Sequence, residues 1–407
     1  MDRRDFLKAS LASTAALAAA TPALAQAQDQ NGDAKTMTTV AFKGGEKISL
    51  LGFGMMRLPQ KDGEIDRTLA AKMVDDAIRA GVNYFDTAYF YIKGKSETFC
   101  GDVLTKYPRD SYYLADKLPI GHLKTADDLE RIFSEQLRKT RQTHFDFYLM
   151  HALNANNWKK AVQLNVYDFL LRKKAEGKIR HIGFSFHDKP EVLEKIAAAH
   201  PWDFAQIQLN YIDWKAYRSK EQYDILTRHN IPIVIMEPLR GGRLANLPKD
   251  AAAMLANAAP DASQASWAFR YIASLPNILC ILSGMSRPEH LADNLRTFSP
   301  IRPLDERERR ILDKAILAYH NTLSVPCTDC RYCLPCPAGV LIPRVFTAYN
   351  DFKMSNNARR FKAALAAFDE DEGPDGCIKC GKCMPKCPQH IRIPVELERI
   401  AKEAAKL

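Results

Sequence analysis

The chain of 407 residues predicts an α/β architecture, a (β/α)8 TIM barrel followed by a small, mainly helical domain. Three observations carry this. Eight short apolar runs alternate with amphipathic segments through the middle of the sequence, over the ~250 residues usual for such a barrel. Three consecutive runs deliver a polar residue at or near their ends, Asp86, Lys117 and His151, and a parallel barrel gathers its C-terminal strand ends at one mouth. Eight of the ten cysteines then fall in two tight groups beyond residue 326. A doubly wound open sheet is the structural rival, but no GxGxxG follows the first run.

In chain order, Arg3 and Arg4 precede Asp5, Phe6, Leu7 and Lys8, an alanine-rich run, and Ala23-Leu24-Ala25. This is a twin-arginine signal peptide over residues 1–25, with a small-x-small cleavage site. It predicts a protein exported folded to the periplasm, with no stable membrane span. Residues 26–37 read as a disordered lead-in. The barrel is assigned to 38–300, opening with a hairpin from Val40 to Ile48 that turns at Gly44 and Gly45. Its strand candidates start at Gly52, Val82, Tyr112, Phe145, His181, Ala205, Ile231 and Asn277. Between them lie helical patterns such as TADDLERIFSEQLRKT, for which Thr125 is the expected N-cap, with Asp127 and Asp128 in the first turn. Residues 301–325 form a charge-rich connecting helix and 326–407 the second domain, with no low-complexity linker, so docking is expected over free tethering. The formal charge of +10 is spread among 48 acidic residues without an aromatic-interleaved basic stripe, which argues against a nucleic-acid partner.

The stretch Asn83 to Tyr91, NYFDTAYFY, organises the chemistry. A buried strand that ends on a carboxylate needs a partner for it. Lys117 supplies one, and its ammonium is expected to lower the pKa of the Tyr91 phenol. His151 then orients a carbonyl oxygen for protonation by Tyr91. The constellation suits carbonyl reduction, in which hydride reaches carbon while a proton reaches oxygen.

Across roughly Thr38 to Phe298 the sequence resembles the aldo/keto reductase family, through FDTAYFY, the lysine of LADK, the histidine of DFYLMH, GKIRHIGFS, QIQLN and EPLRGG. The resemblance implies a catalytic tetrad of Asp86, Tyr91, Lys117 and His151, and a nicotinamide cofactor extended over the mouth. It further implies that Ser185 and Gln206 contact the carboxamide. The loop LRGGRL, with Leu239, Gly241 and Arg243, would pass the pyrophosphate, with Arg240 adding charge, and Asn294 would face the adenine. Phe186 and Met236 stand where the family commonly has an asparagine and a stacking aromatic ring. A lysine common near Gly284 in NADPH-selective members is missing, and Arg287 or His290 is expected to meet a 2'-phosphate. The cofactor reading is NADP(H), with NAD(H) as second candidate.

Cys327, Cys330, Cys333 and Cys336 form C-x2-C-x2-C-x2-C-P, and Cys377, Cys380, Cys383 and Cys387 form C-x2-C-x2-C-x3-C-P. The second is the bacterial ferredoxin run, whose soft thiolates enclose a 4Fe-4S cubane. Paired zinc sites are the alternative. The resemblance is to dicluster ferredoxin modules of the helical variety. It implies one cluster on Cys327, Cys330, Cys333 and Cys387 and another on Cys377, Cys380, Cys383 and Cys336. A single cluster is the second candidate, because the first run is one residue short before its last cysteine. Cys100 and Cys280 read as buried thiols, and His390 as a loop residue.

The combination predicts an oxidoreductase of aldo/keto reductase type acting on a small-molecule carbonyl or alcohol, its iron-sulfur clusters exchanging electrons with a redox partner protein. The alternative is an electron-transfer iron-sulfur protein whose barrel is catalytically inactive and used for binding. Docking of the cysteine domain at the face away from the mouth would instead favour clusters that act as structural staples. The loops Phe90 to Lys95, Ala152 to Trp158 and Tyr211 to Tyr217 are aromatic-rich, which suits either a ring-containing substrate or plain packing.

Overall fold

The computed structural model describes residues 36–320, 325–355 and 357–407. The expected signal peptide and most of the expected lead-in lie outside the described residues. Eight strands close into a barrel: β1 Leu51–Gly54, β2 Tyr84–Asp86, β3 Tyr113–Leu118, β4 Phe145–Leu153, β5 Ile179–Phe186, β6 Phe204–Gln208, β7 Ile233–Met236 and β8 Ile278–Ser283. Each coincides with one of the eight apolar runs. All neighbours pair parallel, and β8 returns to β1 through Ile281 opposite Leu51. These strands are buried on both faces, which is why they read as nearly continuous apolar runs.

The barrel interior is packed. Phe147 is its centre, with ring centroids 5.0 Å from both Tyr84 and Phe204. Below it the hairpin Thr39–Ala41 with Lys47–Ser49 closes the N-terminal end. Phe42 of that hairpin sits 5.6 Å from Phe147 and 4.9 Å from His181, and Glu46 pairs with His181 at 2.7 Å. The mouth at the C-terminal strand ends is therefore the open end.

Aspartates act at the start of two barrel helices, and one of the two departs from the expected cap. Asp66 caps Arg67–Arg79 by accepting from Leu69 N. The helix Asp127–Thr140 begins after Ala126 instead of after Thr125. There the Asp128 carboxylate accepts from the Lys124 and Thr125 amides that lead into the helix and so fixes the approach of the chain.

Beyond the barrel, the helix Glu306–His320 packs on Lys249–Ala258 through Leu312, Ala315 and Leu255. The cysteine-rich region has its own core, in which Phe346, Tyr349, Phe361, Leu397 and Ile400 join the helices Ile342–Ser355, Ala358–Ala366 and Ile393–Ala404. It docks on the mouth of the barrel. Arg57 Nη2 donates to Thr328 O at 2.8 Å and Arg243 Nε to Cys327 O at 2.7 Å. The Gln208 and Gln389 amides exchange hydrogen bonds of 3.0 and 2.8 Å, and Tyr217 stacks on His390 at 5.8 Å. Gly241, at φ 68°, lies so close that a Cβ there would stand 2.3 Å from Thr328 O, so this seam requires a glycine.

Removing the ring at the interior's centre leaves a cavity that the closed barrel is poorly able to fill. Phe147→Ala is expected to lose about 3–5 kcal/mol of stability in chemical denaturation.

Candidate active site and cysteine centre

Asp86 ends β2, where it stands opposite Gly54 of β1 and Ala115 of β3. Lys117 projects from β3, opposite Leu149 of β4. His151 occupies a register shift between Met150 and Leu153, an irregularity of the kind that re-aims side chains at barrel rims. Tyr91 comes from the loop after β2. The four are brought together at the mouth, and each is at most 8% exposed.

The lysine is the hub. Its Nζ donates to Asp86 Oδ1 at 2.6 Å, Thr87 O at 2.7 Å and Tyr91 Oη at 3.2 Å. An ammonium has three donors, and all three are used. The phenol oxygen is thus an acceptor towards Lys117, which leaves its own O–H to donate into the cavity. The His151 ring stands 6.1 Å from the Tyr91 ring, nearly perpendicular to it.

The electrostatics correct one expectation. Burial pushes the Tyr91 phenol well above its ordinary value, and the carboxylates of Asp86, Asp116 and Glu237 push the same way. Reasoning from Lys117 alone omitted desolvation and these three acids. The phenol is held protonated, the form needed to give a proton away. His151 is held well below its usual range by burial, with Lys117 adding to the effect, so its imidazole is neutral. Behind the strand, burial together with Glu97 raises the Asp116 carboxyl.

Two cavities meet at Tyr91. A groove of about 490 Å³ runs from Asp86 and Tyr91 past Gln206 and Met236 to Arg287, His290 and Asn294. Of the eight residues expected to contact a cofactor, Gln206, Leu239, Gly241, Arg287, His290 and Asn294 line it. Asn294 is held by a 2.8 Å hydrogen bond to Ser283 Oγ, and Arg287 lies against His290 at 3.1 Å. Ser185 is outside the lining; its Oγ accepts from Ala152 N at 2.8 Å and so steadies the chain just after His151. Arg243 is turned to Cys327 O, and Arg240 to Asp213 and Tyr319. The charge expected for a pyrophosphate is therefore committed to the docking seam and its surroundings, leaving Arg57 and Arg287 as the groove's guanidinium groups. Gln206 Oε1 and Asp86 Oδ2 are buried at the inner end without hydrogen-bond partners. Buried acceptors of this kind call for a donor, and a carboxamide NH2 supplies one. The residues present fit a nicotinamide.

The two cysteine runs face each other, with Cys333 within electrostatic reach of both Cys387 and Cys383. Cys327, Cys330 and Cys333 each lie within electrostatic reach of Cys387, and Cys383 within that of Cys377, Cys336 and Cys380. Cys327, Cys333 and Cys387 are buried, whereas Cys380 is exposed. Burial pushes the Cys327 thiol up to about 11. Cys100 and Cys280 are buried thiols, as expected.

Three participants at the mouth escaped sequence reasoning. Arg57 lines both cavities. Glu237, first residue of EPLRGG, has one buried carboxylate oxygen without a partner. Tyr332, between two cysteines, has a buried phenol and lines the same cavity as Tyr91 and Cys330. Only Glu237 had a sequence signal, its place in the motif.

Removing one member of the buried Asp86–Lys117 pair strands the other. Asp86→Asn is expected to lose about 3–5 kcal/mol of stability, while Asp86→Val with Lys117→Met loses less, as a double-mutant cycle in denaturant will measure. Burial also holds His187 at about 4, against an ordinary 6.5. Between those values the unfolded chain takes up a proton that the folded imidazole refuses, so stability falls as pH falls through this window. His187→Asn is expected to flatten the decline of melting temperature between pH 7 and about 4.5.

Comparison with known proteins agrees with this geometry. The profile of the aldo/keto reductase family matches residues 50–317, that of a 4Fe-4S dicluster domain 326–391, and that of the twin-arginine translocation signal 1–20. An uncharacterized oxidoreductase of Bacillus subtilis is 25% identical over 300 residues, 65% of this chain and 92% of that protein. The NADH-specific methylglyoxal reductase of Escherichia coli is 24% identical over 217 residues, 48% of this chain and 65% of that protein. Among solved structures, the holo form of an aldo-keto reductase from Bacillus halodurans superposes with a TM-score of 0.58 at 22% identity, covering 69% of this chain and 96% of that one. An aldo-keto reductase from Klebsiella pneumoniae in complex with NADPH gives 0.57 at 21% identity, covering 70% and 95%. The chain belongs to the aldo/keto reductase family, as an NAD(P)-dependent oxidoreductase that carries a 4Fe-4S dicluster domain on the mouth of its barrel.

Proposed function

We propose that the protein transfers hydride between NADP(H) and a carbonyl or alcohol substrate in the periplasm, and that its two clusters exchange single electrons with a redox partner protein. The observation that carries this reading is the seat of the cysteine domain. Cys330 and Tyr332 line the same cavity as Tyr91 and His151. A cluster on Cys327, Cys330, Cys333 and Cys387 then lies beside the reacting centre, and the exposed Cys380 belongs to the set that would meet a partner. A structural staple has no need of the mouth.

When bound, the nicotinamide supplies or takes a hydride, and each cubane supplies or takes one electron. The residues do the rest. Tyr91 donates the proton to the carbonyl oxygen, and the neutral His151 holds that oxygen in place. Lys117, fixed by Asp86, steadies the phenolate left behind. Gln206 and Asn294 hold the two ends of the cofactor, with Arg287 and His290 at a 2'-phosphate. By count, two one-electron centres match the two electrons of one hydride, the accompanying proton being released to solvent when the clusters take the electrons and taken up from it in the reverse direction. The twin-arginine signal supports export of the folded, cluster-loaded chain, and a cofactor retained through export would meet no cytoplasmic pool.

Anaerobic purification is expected to yield two cubanes' worth of iron and sulfide together with bound nicotinamide. Tyr91→Phe is expected to lower kcat for aldehyde reduction by about 10²–10⁴-fold with little change in NADPH affinity. Unaltered turnover in that variant would mark the barrel as a binding module and the chain as an electron carrier.

A further inference from the structure

The second cavity at Tyr91, about 1310 Å³, has walls from two parts of the chain. Barrel loops supply one side, through residues such as Phe90, Ile92 and Ile120. The cysteine domain supplies the other, through Leu334, Pro335 and Leu341. Its volume exceeds the ~300–1,000 Å³ of ordinary small-molecule pockets, and its body is apolar.

Its charged lining is one-sided. Arg57, Lys93, Lys95, Arg331 and Lys386 face one carboxylate, Asp329. Three of these cations are already engaged. Arg57 donates to Thr328 O, Lys95 pairs with Glu64, and Arg331 reaches Asp329 at 3.3 Å. Lys93 and Lys386 make no hydrogen bond or ion pair among the described residues. They come from opposite walls, Lys93 from the barrel and Lys386 from the cysteine domain. Lys386 is close enough to His122 of the barrel to disfavour its protonation, which places the ammonium at the shared rim. Uncompensated charge of one sign around a low-dielectric cleft concentrates ligands of the opposite sign.

We propose that this cavity selects a carboxylate-bearing substrate with a bulky apolar body, its anionic end held by Lys93 and Lys386 while its carbonyl or hydroxyl lies at Tyr91 and His151. The substrate pocket is then shared property of barrel and cysteine domain, and the cysteine domain helps to set specificity. This rests on the carbonyl or alcohol reading of the mouth, and adds the charge and size class of the compound.

The test is binding, measured by calorimetry on the anaerobically purified holoprotein, so that it does not depend on turnover. The probes are 4-formylbenzoate, 6-formyl-2-naphthoate and 4'-formylbiphenyl-4-carboxylate, each against its methyl ester. At least one acid is expected to bind 10-fold or more tighter than its ester, with the advantage shrinking as salt rises. In Lys93→Ala/Lys386→Ala the advantage is expected to fall below 3-fold, with cluster absorbance unchanged as the control for an intact domain. Lys93→Ala alone, a change in the barrel and not in the cysteine domain, is expected to lose part of it. Equal binding of acid and ester, no binding by any of the six, or an advantage that survives the double variant overturns the proposal. Tyr91→Phe separates the two readings: it is expected to keep the binding preference for the acid while losing reduction. A wild-type protein that prefers the acid but reduces none of the aldehydes refutes the hydride reading and leaves the anion site standing.

Discussion

The mouth of this barrel is organised by one buried cation. Lys117 sits almost wholly out of water, where a bare ammonium is untenable, and its three donors are answered by a carboxylate, a backbone carbonyl and a phenol. That requirement sets the positions of Asp86 and Thr87, and it gives the phenol its polarity. Because the tyrosine oxygen already accepts from the lysine, its hydrogen points elsewhere. The strands provide the framework, and the need to satisfy a charge provides the geometry.

The desolvation that makes the lysine demanding acts on its neighbours in the opposite sense. The phenol is held protonated and the imidazole neutral. A neutral acid beside a neutral ring is the state in which a carbonyl oxygen is received, and the positive charge of Lys117 becomes useful once negative charge develops on the tyrosine. Preorganisation here means that the groups stand in their starting protonation states before any ligand arrives.

Much of this was legible in the sequence, for physical reasons that also mark where legibility ended. Asp86, Lys117 and His151 could be placed because each sits on or at the end of a short apolar run, and barrel topology maps such ends onto one rim. The cysteines could be read as 4Fe-4S motifs because spacing within a cubane motif is a local constraint. The seat of the cysteine domain could not be read, because the contact of Arg243 with Cys327, or of Gly241 with Thr328, depends on surface shapes that no periodicity records. The same blindness assigned two arginines to a pyrophosphate when the neighbouring domain had claimed one and a buried aspartate the other. The acidity of Tyr91 was misjudged because a sequence displays charges but not depth. The helix near Thr125 shows the problem at small scale: it starts after Ala126, and the Asp128 carboxylate accepts from the amides that lead into it.

The roof over the reaction chamber is a fold whose own core includes three of its cysteines, Cys327, Cys333 and Cys387. Any change that loosened such a lid would open the space above the tyrosine to water and unmake the wall that carries Lys386. The segment that carries the cysteines thus also builds part of the reaction vessel.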